Sequence, residues 1–250
     1  MRYPLLLVCC LALTSVAQAP PPPLLPPQAS YSFPAKQTLS YAIDWRVFPA
    51  GTATIHLEQV GNMQHVIAGG ESIGAVNLLF RVNDHFETFF NRTTGCSSSF
   101  AKQLQEGRRQ ITSTLRFING KQVLDEKNLV TGTVKHQEAP VPACVTDLMS
   151  AIFYGASQPL QPGSSFRMPV ADAMRVVDVT MKVEAREQIV TLAGTFPTVR
   201  VQPVADAGVV KNRGNIWIWY SDDEHHTPVQ IRARLFWGTL TMHLVSTTSK

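Results

Sequence analysis

The run Asp222-Asp223-Glu224-His225-His226 is the densest collection of possible metal ligands in the chain. Zinc and calcium sites need three or four groups converging on one point, whereas adjacent residues on a strand or tight turn diverge. The run therefore reads first as the polar tip of a hairpin. A metal-dependent hydrolase built on Asp222 and His225 stands last of three functional readings. His56, His65, His85, His136 and His243 show no metal-ligand spacing, and the chain has no His-Glu-x-x-His, Gly-x-Ser-x-Gly or phosphate loop. The expectation is a protein without metal, cofactor or catalysis.

Aromatic and basic residues offer a second kind of chemistry. In Asn215–Tyr220, Trp217 and Trp219 share one face of a strand while Ile216, Ile218 and Tyr220 share the other. A strand apolar on both faces is either sandwiched within a core or has one side on a cavity. On the cavity reading, Trp217, Trp219 and Trp45 line a concavity that takes a lipid chain or stacks on a sugar. Arg232 and Arg234, which alternate with Ile231, Ala233 and Leu235, would then meet a phosphate or carboxylate head group. On the other reading the two arginines form a solvated strand face.

The cysteines depend on compartment. Arg2, the apolar run Leu5–Leu13 and the small residues Ser15-Val16-Ala17 and Ala17-Gln18-Ala19 have the layout of a signal peptide over residues 1–19, with cleavage after Ala17 favoured over cleavage before Pro20. Cys9 has a poor lipidation context, so the expected location is the soluble periplasm. Export leaves Cys96 and Cys144 as an even pair in an oxidising compartment, and a disulfide is expected. Removing Arg2 takes the formal charge from +4 to +3. So dispersed an excess gives no reason to expect nucleic acid. Past the leader, no apolar run reaches the roughly 18 residues needed to span a bilayer.

The elements that position these residues are strands. Six of the eight residues from Pro20 to Pro27 are proline, which favours polyproline II and makes residues 20–36 a tether. From Gln37 to about 248 the chain alternates apolar and polar residues in short runs. Leu39, Tyr41, Ile43, Trp45 and Val47 alternate first; Pro49-Ala50-Gly51 then turns into Ala53, Ile55 and Leu57. Asn119-Gly120 marks a two-residue hairpin, Val130–Val134 adds a strand, and Val177–Val183 gives the clearest alternation. One helix is expected near 146–155, opening at Thr146 and ending at Gly155. The fold class is mainly β: a single antiparallel domain of about a dozen strands, as a curved sheet, open barrel or sandwich.

The span Asp147–Tyr154, then Leu160-Gln161-Pro162-Gly163, then Ile216–Asp223 through Thr227–Ile231 to Gly238, resembles the DUF3108 family. The resemblance implies an exported, β-rich protein of the Gram-negative envelope and supplies no reaction. Where that family commonly continues the helix with arginine, this chain has Gly155-Ala156-Ser157. Together these readings point to a non-catalytic binding or accessory protein for a lipid, glycolipid or polysaccharide. The alternative is an assembly factor that meets an envelope protein partner through the proline tether or a sheet edge.

Overall fold

The computed structural model describes residues 23–212, 214–236 and 238–249. The expected signal peptide and the first prolines lie outside the described residues.

Fifteen strands form one sheet in which neighbours in sequence are mostly neighbours in space.

 Strands account for 64% of the described residues, and among these only the first and last strands pair across a long sequence distance. The first half runs β1 (Lys36–Trp45), β2 (Phe48–Val60), β3 (Met63–Ser72), the short helix α1 (Gly74–Leu79), β4 (Asn83–Asn91) and β5 (Ser97–Glu106). It continues through β6 (Arg109–Ile118), β7 (Lys121–Asn128), β8 (Val134–Pro140), the two-residue β9 (Thr146–Asp147) and helix α2 (Leu148–Ala156). The second half holds β10 (Ser165–Asp172), β11 (Arg175–Thr191), β12 (Gly194–Val204), α3 (Gly208–Asn212), β13 (Asn215–Ser221), β14 (Pro228–Leu235) and β15 (Gly238–Ser249). Pairing β1 with β15 joins two meanders into the order β8 to β1, then β15 to β9. All ladders are antiparallel except β9 with β10.

The sheet curls around α2 without closing into a barrel. On one side of the helix, Tyr154 and Ala156 pack with Met168, Val179, Val201, Ile218 and Tyr220; on the other, Phe153 packs with Leu39, Tyr41, Leu57, Val66 and Phe90. Ile152 touches both clusters, so the helix fills the apolar concavity rather than lying beside it. At the end of the curl Ser97 N donates to Val145 O at 2.8 Å, the one point where β5 reaches back to the approach of β9 among the described backbone contacts. Cys96 and Cys144, each one residue before, form the expected disulfide, with Cα atoms 5.0 Å apart.

Several local expectations change. The β1–β2 turn falls at Arg46-Val47, with Arg46 at φ 57°, and Pro49 lies inside β2 beside a bulge at Ile43/Asp44. A bulge tolerates the missing proline amide. Asn119 and Gly120 do form the two-residue turn, both at positive φ. Val130 lies in the β7–β8 turn, where Asn128 Oδ1 accepts from the amides of Val130 and Thr131. Strand β10 carries Pro169, which the sequence pattern does not favour; β9 covers only Val170 and Ala171 of its outer side, so this stretch is nearly an edge. Helix α2 is capped by Asp147, whose carboxylate reaches two free amides, rather than by Thr146.

The expected tether is also corrected. Tyr154 Oη donates to Leu25 O at 2.6 Å, Gln28 N to Ser157 O at 3.0 Å, and Gln158 Nε2 to Pro26 O at 3.3 Å. Phe33 is buried in the core beside Phe90. From Leu24 onward the segment is a strap docked along α2, because buried apolar side chains and carbonyl acceptors hold it there.

Candidate functional site

The tryptophan and arginine residues singled out in the sequence do not converge. Trp45 stands opposite Leu240, Leu240 opposite Ala233, and Ala233 opposite Ile216, so Trp45 shares the face of Ile216 and not that of Trp217. Trp219 is only 3% exposed, but on the outer side of the sheet. Its Nε1 donates to Glu187 Oε2 at 2.9 Å, and the Arg232 guanidinium lies 5.2 Å above its ring. Arg200 bridges Glu184, at 2.6 Å, and Glu187 across the same face. Trp217 stands opposite Arg232, and the exposed Arg234 opposite Asn215. Trp219 is covered by Glu187 and Arg232, Trp45 lies on the other face and Arg234 is exposed, so the described residues do not bring the expected aromatic and basic side chains to one concavity.

The acidic and histidine run also disperses. Asp222 pairs with Arg186 at 2.7 Å, while His225 is an exposed tip residue near Glu224 at 3.7 Å. Asp223 Oδ1 accepts from the amides of His225 and His226 and from Ser221 Oγ, shaping the hairpin rather than facing a ligand. No group of three metal-ligating side chains converges among the described residues. The hydrolase built on Asp222 and His225 is therefore dropped.

The same hairpin forms one wall of a different feature. With His226 at φ 42°, the turn brings its ring back toward α2, where Nδ1 donates to Ala156 O at 2.6 Å. The imidazole stacks on Tyr31 of the strap, ring centroids 6.0 Å apart, and Tyr31 Oη donates to His225 O at 3.3 Å. Burial, aided by Asp223, raises the Tyr31 pKa and keeps its hydroxyl protonated. Between strap, hairpin and sheet lies a cleft of about 420 Å³. Leu57, Phe33 and Phe153 give it an apolar floor, while Lys36, Glu224 and His225 lie at its rim. Such a surface can hold a molecule that is apolar on one side and polar on the other. Among its described lining residues no serine hydroxyl bonds a histidine, so no nucleophile and base are paired.

Behind the floor, buried Asp147 anchors the start of α2. Oδ1 accepts from Met149 N at 2.9 Å and Ser150 N at 3.0 Å; Oδ2 lies 2.6 Å from the hydroxyls of Thr88, Ser97 and Ser150. Asp147 and Ser150 carried a recognisable helix-start pattern, but nothing in the local sequence marks Thr88 and Ser97, which reach the site from β4 and β5. Tyr31 and Phe33 were equally hidden, although aromatics alternating just after a proline run could have signalled docking.

Comparison with known proteins agrees with this architecture and adds no activity. No curated protein matches the chain. A β-barrel-like protein of a domain of unknown function, DUF1849, from Brucella abortus is similar at a TM-score of 0.62 and 9% identity, covering 88% of this chain and 99% of that one. A candidate exported protein of YmcC-like fold from Bacteroides fragilis gives 0.40 at 7% identity, covering 88% and 99%. A candidate lipoprotein from Parabacteroides distasonis gives 0.33 at 11% identity, covering 86% and 97%. The sequence pattern of DUF3108, a protein of unknown function, matches residues 40–245, and the chain belongs to that family.

Proposed function

We propose that this chain is a non-catalytic binding protein of the Gram-negative envelope that holds an amphipathic ligand, a lipid or glycan, in the cleft between strap and hairpin. The observation that carries the reading is the cleft itself, about 420 Å³ with an apolar floor and a polar rim, within the size range of small-molecule sites. The leader sequence supports an envelope location. A non-catalytic role is supported by the commitments of its polar groups: His226 Nδ1 is held by Ala156 O, and the Tyr31 hydroxyl by His225 O. No helix among the described residues is long and apolar enough to cross a membrane.

The test is native mass spectrometry and solvent extraction of protein purified from its own compartment, beside variants that fill the cleft, Ser30→Trp and His225→Trp. Both positions are exposed, so folding should survive. A bound small molecule in the wild type, lost in both variants, is expected. Protein that comes away empty and takes up no lipid or glycan when offered them would end this reading.

A further inference from the structure

In an antiparallel meander successive turns alternate between the two ends of the sheet. The β1–β2, β3–β4, β5–β6 and β14–β15 connections therefore emerge together, at the end opposite the cleft. Three of these four carry large apolar side chains in solvent: Val47 and Phe48 on the first, Leu78, Leu79 and Phe80 in and after α1, and Phe236 on the last. Leu79 is 88% exposed and Phe236 fully so. None of the residues of α1 is buried, so this helix contributes nothing to the core. Neighbouring turns keep the tips side by side: Ile73 N donates to Ala50 O at 2.9 Å, and the Phe80 ring lies against Gly107 of the next turn.

Exposed charge on this rim is mostly positive, with Glu71 as the exposed carboxylate at the end of β3. Arg46, Arg81 and Arg108 stand exposed between the apolar tips and meet no carboxylate within ion-pair distance among the described residues. Glu106 is already paired with Arg109 at 2.6 Å. Protruding apolar tips flanked by guanidinium groups without a carboxylate partner, that of Arg46 5.8 Å over the Trp45 ring, match an anionic lipid interface, where the apolar groups enter the headgroup boundary and the cations meet phosphates. A flat apolar face would favour a protein partner; separate turn tips do not make one.

We infer that this rim docks the protein on an anionic lipid surface. Docked this way, the molecule turns its ligand cleft away from the membrane, so the inference stands apart from the proposed function. It is tested by co-sedimentation with vesicles of phosphatidylglycerol and phosphatidylethanolamine, with phosphatidylcholine vesicles as the neutral control. The wild type should bind the anionic vesicles preferentially, and less as salt rises. Phe48→Asp with Leu79→Asp should abolish binding, and Arg46→Gln or Arg81→Gln should each weaken it about fivefold. Val190→Asp with Leu192→Asp, exposed apolar positions at the opposite end, should leave it unchanged. Since all these side chains are exposed, an unaltered far-ultraviolet spectrum will confirm folding. Failure of the wild type to bind, equal loss in the Val190 and Leu192 variant, or a stable dimer that the Phe48 and Leu79 variant dissolves would each overturn the inference.

Discussion

Ser97 donates its backbone amide to Val145 at 2.8 Å, and each of these residues directly follows one half of the Cys96–Cys144 disulfide. The covalent link thus lies where the curled sheet returns on itself, joining positions 48 residues apart. In the chain-entropy model, opening a loop of that size removes about 4 kcal/mol of stability. For a domain of this size, that corresponds to a fall in Tm of roughly 10 °C. Cys96→Ser with Cys144→Ser should show this shift by calorimetry, and adding a reductant should produce it in the wild type alone. Equal Tm values would mean the sheet is held at that point without the bridge.

Asp147 should be the most sensitive polar position in the core. Asp147→Ala leaves two helix amides and the hydroxyls of Thr88, Ser97 and Ser150 without their acceptor in a buried place. Losing a helix cap costs about 1 kcal/mol, and orphaned buried donors raise the total to about 3 kcal/mol or more. Ser97→Ala should cost less, about 2 kcal/mol, because the carboxylate keeps its other donors while the Asp147 amide loses the Ser97 hydroxyl as its acceptor. Urea denaturation will rank the two, and an Asp147→Ala loss no larger than that of Ser97→Ala would contradict the network.

The strand pattern was legible because alternation is local: Leu39 and Tyr41, or Val177, Val179 and Val183, announce their buried face by spacing alone. The side on which Trp217 and Trp219 lie was not, since both faces of β13 are apolar. What decides it comes from far away: α2 covers Ile218 and Tyr220, whereas Glu187, Arg200 and Arg232 from three other strands surround Trp219. The cleft was hidden for the same reason. A proline-rich segment has one composition whether free or docked, and its partner Tyr154 lies 129 residues from Leu25.

The strap depends on close contact at Tyr154. Tyr154→Phe removes the bond to Leu25 O and should cost about 1 kcal/mol. Gly95→Ala should cost more: Gly95 has φ 74°, and an added methyl would collide with the Tyr154 ring. Limited proteolysis should cut the chain near residues 24–32 faster in both variants, while the sheet stays intact. Unchanged cleavage would show the strap to be held mainly by Tyr31 and Phe33.

Edge strand β8 should respond to pH on both sides of a window. It is nearly all exposed and held to β7 by Lys121–Glu138 and Lys135–Glu126, both at 3.0 Å, and by His136–Asp125 at 2.7 Å. The Asp125 hydrogen bond raises the His136 pKa above 6.5, so that pair stabilises β8 below pH 6.5 and is lost as pH rises through the folded value. His136 lowers the Asp125 pKa below 3.8, and Lys121 lowers that of Glu138 below 4.5. Their contributions are full above those values and disappear as pH falls through the folded ones. Docking of β8 should therefore be firmest between pH 4.5 and 6.5. Hydrogen-exchange protection of residues 134–140, corrected for intrinsic rates, should peak in that window, and His136→Ala should flatten its alkaline side and weaken the Asp125 part of its acidic side. Protection that keeps rising above pH 7 would show that backbone pairing alone holds the edge, because no group on β8 other than His136 gains from protonation in that range.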